Sequence, residues 1–148
     1  MKEVTVYIEI CREDVKLPQY ANLFDAGMDI SAAEDVKLFP TKTVIIPTGL
    51  KVAIPEGYEI QVRPRSGLSL KTPLRIANAP GTIDTLFRDE IGIIVTNTDS
   101  AFYNIKKGDR IAQLVLNEIP RIRWEQVDNI TTIKGNRGGG FGSTGVKT

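Results

Sequence analysis

A chain of 148 residues is long enough for one domain with a core that needs no covalent staples. Its formal net charge of +1 argues against a general nucleic-acid or membrane binder, so any bound polyanion must meet a local cluster of cations. The single cysteine excludes an intramolecular disulfide, and the lack of histidine removes Ser–His and Cys–His nucleophiles, histidine zinc sites and imidazole bases together. Acid–base work therefore falls to carboxylates, and a metal would be a hard, oxygen-liking ion such as Mg²⁺. The sequence has no charged-then-apolar leader and no apolar run of membrane-spanning length, so a soluble cytoplasmic protein is expected.

Val4 to Ile10 alternates apolar and polar residues, the mark of a half-buried strand. Cys11 extends that apolar run and is expected in the core. Pro18 breaks the chain, and Gly27 to Ala33 is short and mixed. Val44–Ile46, Leu50–Ile54 and Tyr58–Val62 are strand candidates punctuated by Pro47, Gly49, Pro55 and Gly57. Ser66 to Lys71 has room for about one helical turn. Leu74 to Ala77 is apolar and β-branched, the chain turns at Pro80-Gly81, and Asn78 to Ile91, leading into the strand-like Ile91–Thr96, reads as a tight hairpin. Ile91–Thr96 and Ile111–Leu116 are further strands, with Lys107-Gly108-Asp109 as the turn before the second. Arg121–Val127 reads as a last strand anchored by Trp124. No segment holds a 3.6-residue apolar period over ten residues, so the expected class is all-β, a barrel or double-sheet jelly roll. Beyond residue 128 the pattern fails: residues 135–145 hold six of the 13 glycines, with Phe141 as their one large apolar side chain. The expectation is a β domain over 1–128 and a flexible arm over 129–148.

Five short stretches carry chemical groups. Ala26 to Ala32 sets Asp29 among small residues. Arg63-Pro64-Arg65-Ser66-Gly67-Leu68 offers guanidiniums, a hydroxyl and unhindered N–H groups where anions bind. Asn78 to Ile91 brings an amide (Asn78), a carboxylate (Asp84) and an aromatic face (Phe87) close together. An amide reads a flat polar ring, a carboxylate holds a hydroxyl or water, and an aromatic face covers a sugar or base. Gly108 to Gln113 turns into a strand with Asp109 and Arg110 as a structural pair, and Gln113 points in or out according to register. Arg137 to Gly145 supplies glycine N–H groups, the Ser143 and Thr144 hydroxyls, a cation and a stacking ring, the parts of a lid over phosphates.

In order and spacing these five stretches resemble the five motifs of the trimeric dUTP pyrophosphatases, from about Leu17 to Gly145. The resemblance implies a distorted β jelly roll forming a homotrimer, with active sites at subunit interfaces built from all three chains. The substrate would be dUTP, hydrolysed to dUMP and pyrophosphate. Asn78 and the backbone of Gly81, Thr82 and Ile83 would read uracil. Asp84 would hold the 3′-hydroxyl and the attacking water, and Phe87 would pack under the deoxyribose to exclude a 2′-hydroxyl. Arg65, Ser66, Gly67 and Gln113 would hold the phosphates, with Arg65, Ser66, Gln113 and Asp84 as the catalytic set. The arm of a third subunit would close the site, Phe141 and Gly142 over uracil and Arg137, Ser143 and Thr144 on the outer phosphates. Mg²⁺ would be held mainly by the triphosphate, with Asp29 acting through water.

The chemistry is coherent. Cytosine puts an amino donor where uracil has an acceptor, which leaves buried groups unpaired. A narrow hairpin rejects the 5-methyl of thymine. Attack on the α-phosphorus needs an in-line water, charge neutralisation and exclusion of solvent. Aspartate is a weak base at neutral pH, so Asp84 would orient the water more than deprotonate it early.

Three positions depart from the family pattern. Phe87 stands for tyrosine, and Leu86 and Asp89 replace a smaller or polar residue and a glycine. One residue fewer separates Arg137 from Phe141. A positive backbone angle at Asp89 would be strained. Two rivals remain: a dCTP deaminase of the same fold, distinguished by ammonia release from dCTP, and a non-catalytic nucleotide-responsive binder, which would release no pyrophosphate.

Overall fold

The computed structural model describes residues 1–147, and the period-two stretches of the chain become antiparallel sheets. One sheet has four strands in the order β2 (Gly27–Ser31), β11 (Arg110–Glu118), β6 (Tyr58–Arg63) and β8 (Gly81–Ile83). A second has three, β4 (Thr43–Pro47), β9 (Gly92–Asn97) and β7 (Leu74–Ile76). Two strand pairs complete the distorted jelly roll, β1 (Tyr7–Ile10) with β5 (Leu50–Ala53) and β3 (Val36–Leu38) with β10 (Tyr103–Ile105). A six-residue helix, α1 (Ser66–Lys71), follows β6, and a short 3₁₀ turn covers Ile130–Thr132. No helix among the described residues is long and apolar enough to cross a membrane.

Alternation decides which way each strand faces. In β9, Ile93 and Val95 are fully buried while Gly92 and Ile94 face the other way, half-exposed. Ile60 and Val62 of β6 and Ile83 of β8 join Ile30, Leu38, Ile46, Leu50, Ile105 and Ile111 in the same core. Burying each such side chain contributes about 1.5–3 kcal/mol. The core also holds two polar side chains with their partners. Thr48 donates to the Ile91 carbonyl at 2.6 Å, and the Asn97 amide donates to the Ala101 and Leu38 carbonyls at 2.8 and 3.3 Å.

Four expectations change. Arg121–Val127 forms no strand: it makes no ladder, and Trp124 and Ile122 are 85% and 73% exposed. Its apolar pattern has nothing within the chain to pair with. Cys11 is half-buried at the end of β1 rather than in the core. The hairpin expected over Asn78 to Ile91 is not a tight one: the strands that flank it do pair, β7 with β9, but the connection between them holds β8, which pairs with β6 in the other sheet. The turn spans 77–80, ahead of Gly81, which is already the first residue of β8. Glycine is needed at 81 for closeness rather than rotation: an added Cβ would stand 3.2 Å from both Val62 Cβ and Asn78 Nδ2.

β1 ends in a clamp. Arg12 donates to both oxygens of Glu90, at 2.7 and 3.0 Å, and the Gly49 N–H donates to the same carboxylate at 2.7 Å. The Arg12 guanidinium, helped by the Gly49 N–H, holds the Glu90 carboxyl below its usual range, against the opposing effect of burial. A carboxyl lowered in the folded state stabilises the fold fully above its unfolded value, about 4.3, and that contribution is lost as pH falls through the folded one. Between about pH 6 and pH 3 the parent should therefore lose more thermal midpoint than Glu90→Gln, by a few degrees in circular dichroism melts. Equal losses would mean the clamp adds nothing.

Candidate functional site

The seam between the two large sheets opens into a cleft of about 170 Å³. Val62 and Gly81, Thr82 and Ile83 of β8 form one wall, and Ile91, Gly92 and Ile94 form the other. Asn78 and Phe87 line it as well. The outward half of the β9 alternation thus supplies one wall, and the short β8 presents backbone along the other. Thr82 pairs with Gln61 and Ile83 with Ile60, which fixes β8 against β6.

Asp84 follows β8 directly and is exposed. The loop it opens is closed by the Phe87 N–H donating to the Asp84 carbonyl at 3.1 Å. Thr85 Oγ1 donates to the Tyr58 carbonyl at 3.2 Å, and the Ile91 N–H to the Leu50 carbonyl at 2.8 Å. Positive backbone angles at non-glycine residues occur only at Asp14, Thr41 and Phe141 among the described residues, so Asp89 is accommodated without strain in place of glycine.

A second cleft is polar and is lined by Arg65, Arg110, Asp109, Tyr103 and Leu68 among others. Arg65 caps the start of α1 with an extended backbone. Its Nε donates to Asp29 Oδ1 at 2.9 Å and its Nη1 to the Arg110 carbonyl at 3.1 Å. Arg110 Nη1 lies 3.7 Å from Asp29 Oδ2. One carboxylate therefore gathers two guanidiniums, a concentration of positive charge suited to phosphates. Arg110 is the residue that sequence reasoning missed: it does not pair with Asp109, whose carboxylate instead accepts from the Lys106 N–H at 2.9 Å.

Gln113 is aimed by an irregularity. The β11–β2 register shifts between Arg110 and Ala112, so that Ile111 and Ala112 are both buried. Gln113 then lies opposite Asp29 and Arg63 on the outer face and donates to the Pro64 carbonyl at 2.9 Å. Ser66 and Gly67 open α1 close by in sequence.

Arg137, Phe141, Gly142, Ser143 and Thr144 lie on the exposed segment after the barrel and line neither cleft. The segment is held by local bonds, Gly138 N–H to Asn136 Oδ1 and Ser143 N–H to the Gly140 carbonyl, both 2.8 Å. Its last residue, Thr148, lies outside the described residues.

Among the described residues no three carboxylate or cysteine side chains converge on a metal position. The donor set fits a Mg²⁺ that takes most of its ligands from a substrate's phosphates. Asp29, about one-third exposed, is the carboxylate beside Arg65.

Residues 13–145 match the family model described as dUTPase. The chain is 46% identical over 145 residues to the deoxyuridine 5′-triphosphate nucleotidohydrolase of Clostridium tetani, covering 98% of this chain and 99% of that one. It is 45% identical to the Fusobacterium nucleatum enzyme of the same name, with the same coverage. Among solved structures it resembles a Staphylococcus bacteriophage 80alpha dUTPase variant with dUpNHpp, at TM-score 0.87 and 31% identity over 96% of this chain and 99% of that one. It also resembles a dUTPase variant of S. aureus phage phi11, described for its coordination of a structural Mg(II) ion, at TM-score 0.80 and 31% identity over 86% and 99%.

Proposed function

This chain belongs to the dUTPase family, and on that premise we propose how its own residues hydrolyse dUTP to dUMP and pyrophosphate. The enzyme is a dUTP diphosphatase of nucleotide metabolism, which keeps uracil out of DNA and supplies dUMP. The observation that carries the residue assignment is the cleft at the sheet seam, lined by Asn78 and Phe87, with Asp84 directly after its β8 wall. Deoxyuridine sits there, its uracil edge read by Asn78 and the backbone of Gly81, Thr82 and Ile83. Phe87 packs under the deoxyribose, and its ring alone fills the space a 2′-hydroxyl would need. Asp84 holds the 3′-hydroxyl and turns a water toward the α-phosphorus for in-line attack.

Arg65, Ser66, Gly67 and Gln113 hold the phosphate chain, and the Asp29 carboxylate keeps Arg65 aimed at it. Mg²⁺ bound with the triphosphate would neutralise phosphate charge, with Asp29 as its protein contact through water. Most of the barrier reduction comes from preorganised positive charge and positioning rather than from proton abstraction by Asp84.

The two clefts share no lining residue, which supports a site completed between subunits of a homotrimer. The uncovered Ile122 and Trp124 support the same assembly. In this reading residues 1–128 are the β domain and 129–148 a flexible arm. The arm closes a neighbour's site with Phe141 and Gly142 over uracil and Arg137, Ser143 and Thr144 on the outer phosphates. The enzyme works as a soluble cytoplasmic protein on free nucleotide.

Pyrophosphate release from each deoxynucleoside triphosphate with Mg²⁺ tests the reading. Buried unpaired groups against cytosine, and the clash with the thymine methyl, should hold kcat/KM for dCTP and dTTP about 10²-fold or more below that for dUTP. A protein inert toward dUTP at every magnesium concentration would end it. Ammonia release from dCTP would move it to the deaminases.

A further inference from the structure

The loop from Asp84 to Glu90 carries the aspartate and the aromatic ring of the proposed site, yet it lies between β8 and β9 with no ladder of its own. Side chains therefore have to fix its shape. At its centre the Arg88 Nη1 meets three carbonyl oxygens at once: Thr85 at 2.6 Å, Phe87 at 3.0 Å and Val52 of β5 at 3.5 Å. Two of these belong to the loop and the third to a neighbouring strand. The bonds tie the loop to itself and weakly to β5. Arg88 lines the shallow groove of Tyr7, Ile8, Glu9, Lys51, Val52 and Ala53, and not the cleft at the seam.

We propose that Arg88 is a positioning residue for hydrolysis: by gathering the Thr85, Phe87 and Val52 carbonyls it sets where Asp84 and Phe87 stand. This rests on the roles given above to those two residues. A charged donor to a carbonyl makes a stronger bond than a neutral one. The Thr85 and Phe87 carbonyls flank Leu86 and follow Asp84, so their direction fixes the backbone that presents both functional side chains. Without the guanidinium these carbonyls turn to water and the loop samples other shapes. Misplacement of a reacting group by about 1 Å costs on the order of 10²-fold in rate.

The test compares the parent with Arg88→Met, which keeps side-chain bulk and donates nothing, and Arg88→Gln, which keeps a donor but loses charge and reach. The glutamine differs from the parent in being neutral and two bonds shorter, so its amide does not reach the carbonyls that the Arg88 Nη1 meets. Each protein is assayed for pyrophosphate release from dUTP and UTP well below its melting midpoint. Both variants should lose about 10²-fold in kcat on dUTP, and their preference for dUTP over UTP should fall about tenfold, because Phe87 no longer holds its place. A purely structural residue would lower the midpoint and leave that preference unchanged. Parent-like kcat and preference in Arg88→Gln overturn the proposal, whether or not Arg88→Met folds. Asp84→Asn and Phe87→Ala run alongside. If they fail as expected while the Arg88 variants match the parent, only the positioning role falls. If they too match the parent, the site assignment falls first.

Discussion

Asp84→Asn should keep dUTP affinity within about tenfold while turnover falls about 10²–10⁴-fold. The amide has the carboxylate's shape and still accepts a hydrogen bond from the 3′-hydroxyl. It also removes a negative charge that faces a polyanion, which offsets part of any lost contact. What the amide cannot do is orient a water by charge or accept its proton as the bond to phosphorus forms. Calorimetric binding of a non-hydrolysable dUTP analogue, set beside pyrophosphate release, separates the two effects. Parent-like turnover would remove Asp84 from the mechanism, and lost affinity with parent-like turnover would make it a binding residue only.

Removing the arm from Gly135 onward should leave the fold and its assembly intact and slow turnover by about 10²–10³-fold. Among the described residues the strands all lie between Tyr7 and Glu118, and the core takes none from the arm. The arm instead carries Arg137 and a run of donors suited to outer phosphates, together with Phe141. Groups that stabilise charge in a closed site act on the rate, and removing one commonly costs about this much. Light scattering reports the assembly and pyrophosphate release the rate. A shortened protein that falls apart would make the arm part of the scaffold, and one with full turnover would leave it no part in the chemistry.

The two large sheets were legible wherever a strand alternates over enough residues. Ile93 and Val95 of β9 and Ile60 and Val62 of β6 are buried at the spacing their pattern implies. Val36–Leu38 and Tyr103–Ile105 could not be read, because three residues are too few to show a period. Arg121–Val127 shows the opposite failure: a pattern states that a segment can pair, not that its own chain offers an edge. The hairpin over Asn78 to Ile91 was legible in its arms, since β7 pairs with β9, but not in its connection, where the three-residue β8 leaves to pair with β6. Within the site, motif spacing pointed to Asn78, Thr82, Ile83 and Phe87, which share one cleft. The link between Asp29 and Arg65 spans 36 positions and needed the fold to appear. The Arg88 bonds to carbonyls were invisible for a different reason, since side chain to backbone contacts leave no trace in residue type.

The cleft proposed for the base is lined by β8 on one side and by Gly92 and Ile94 of β9 on the other, so strands rather than a loop set its width. Widening it means moving strands whose opposite faces are buried in the core. An enzyme of this design that moved those strands to accept a bulkier pyrimidine would loosen its own core. Tolerance of new bases and resistance to heat would then trade against each other in any evolved descendant.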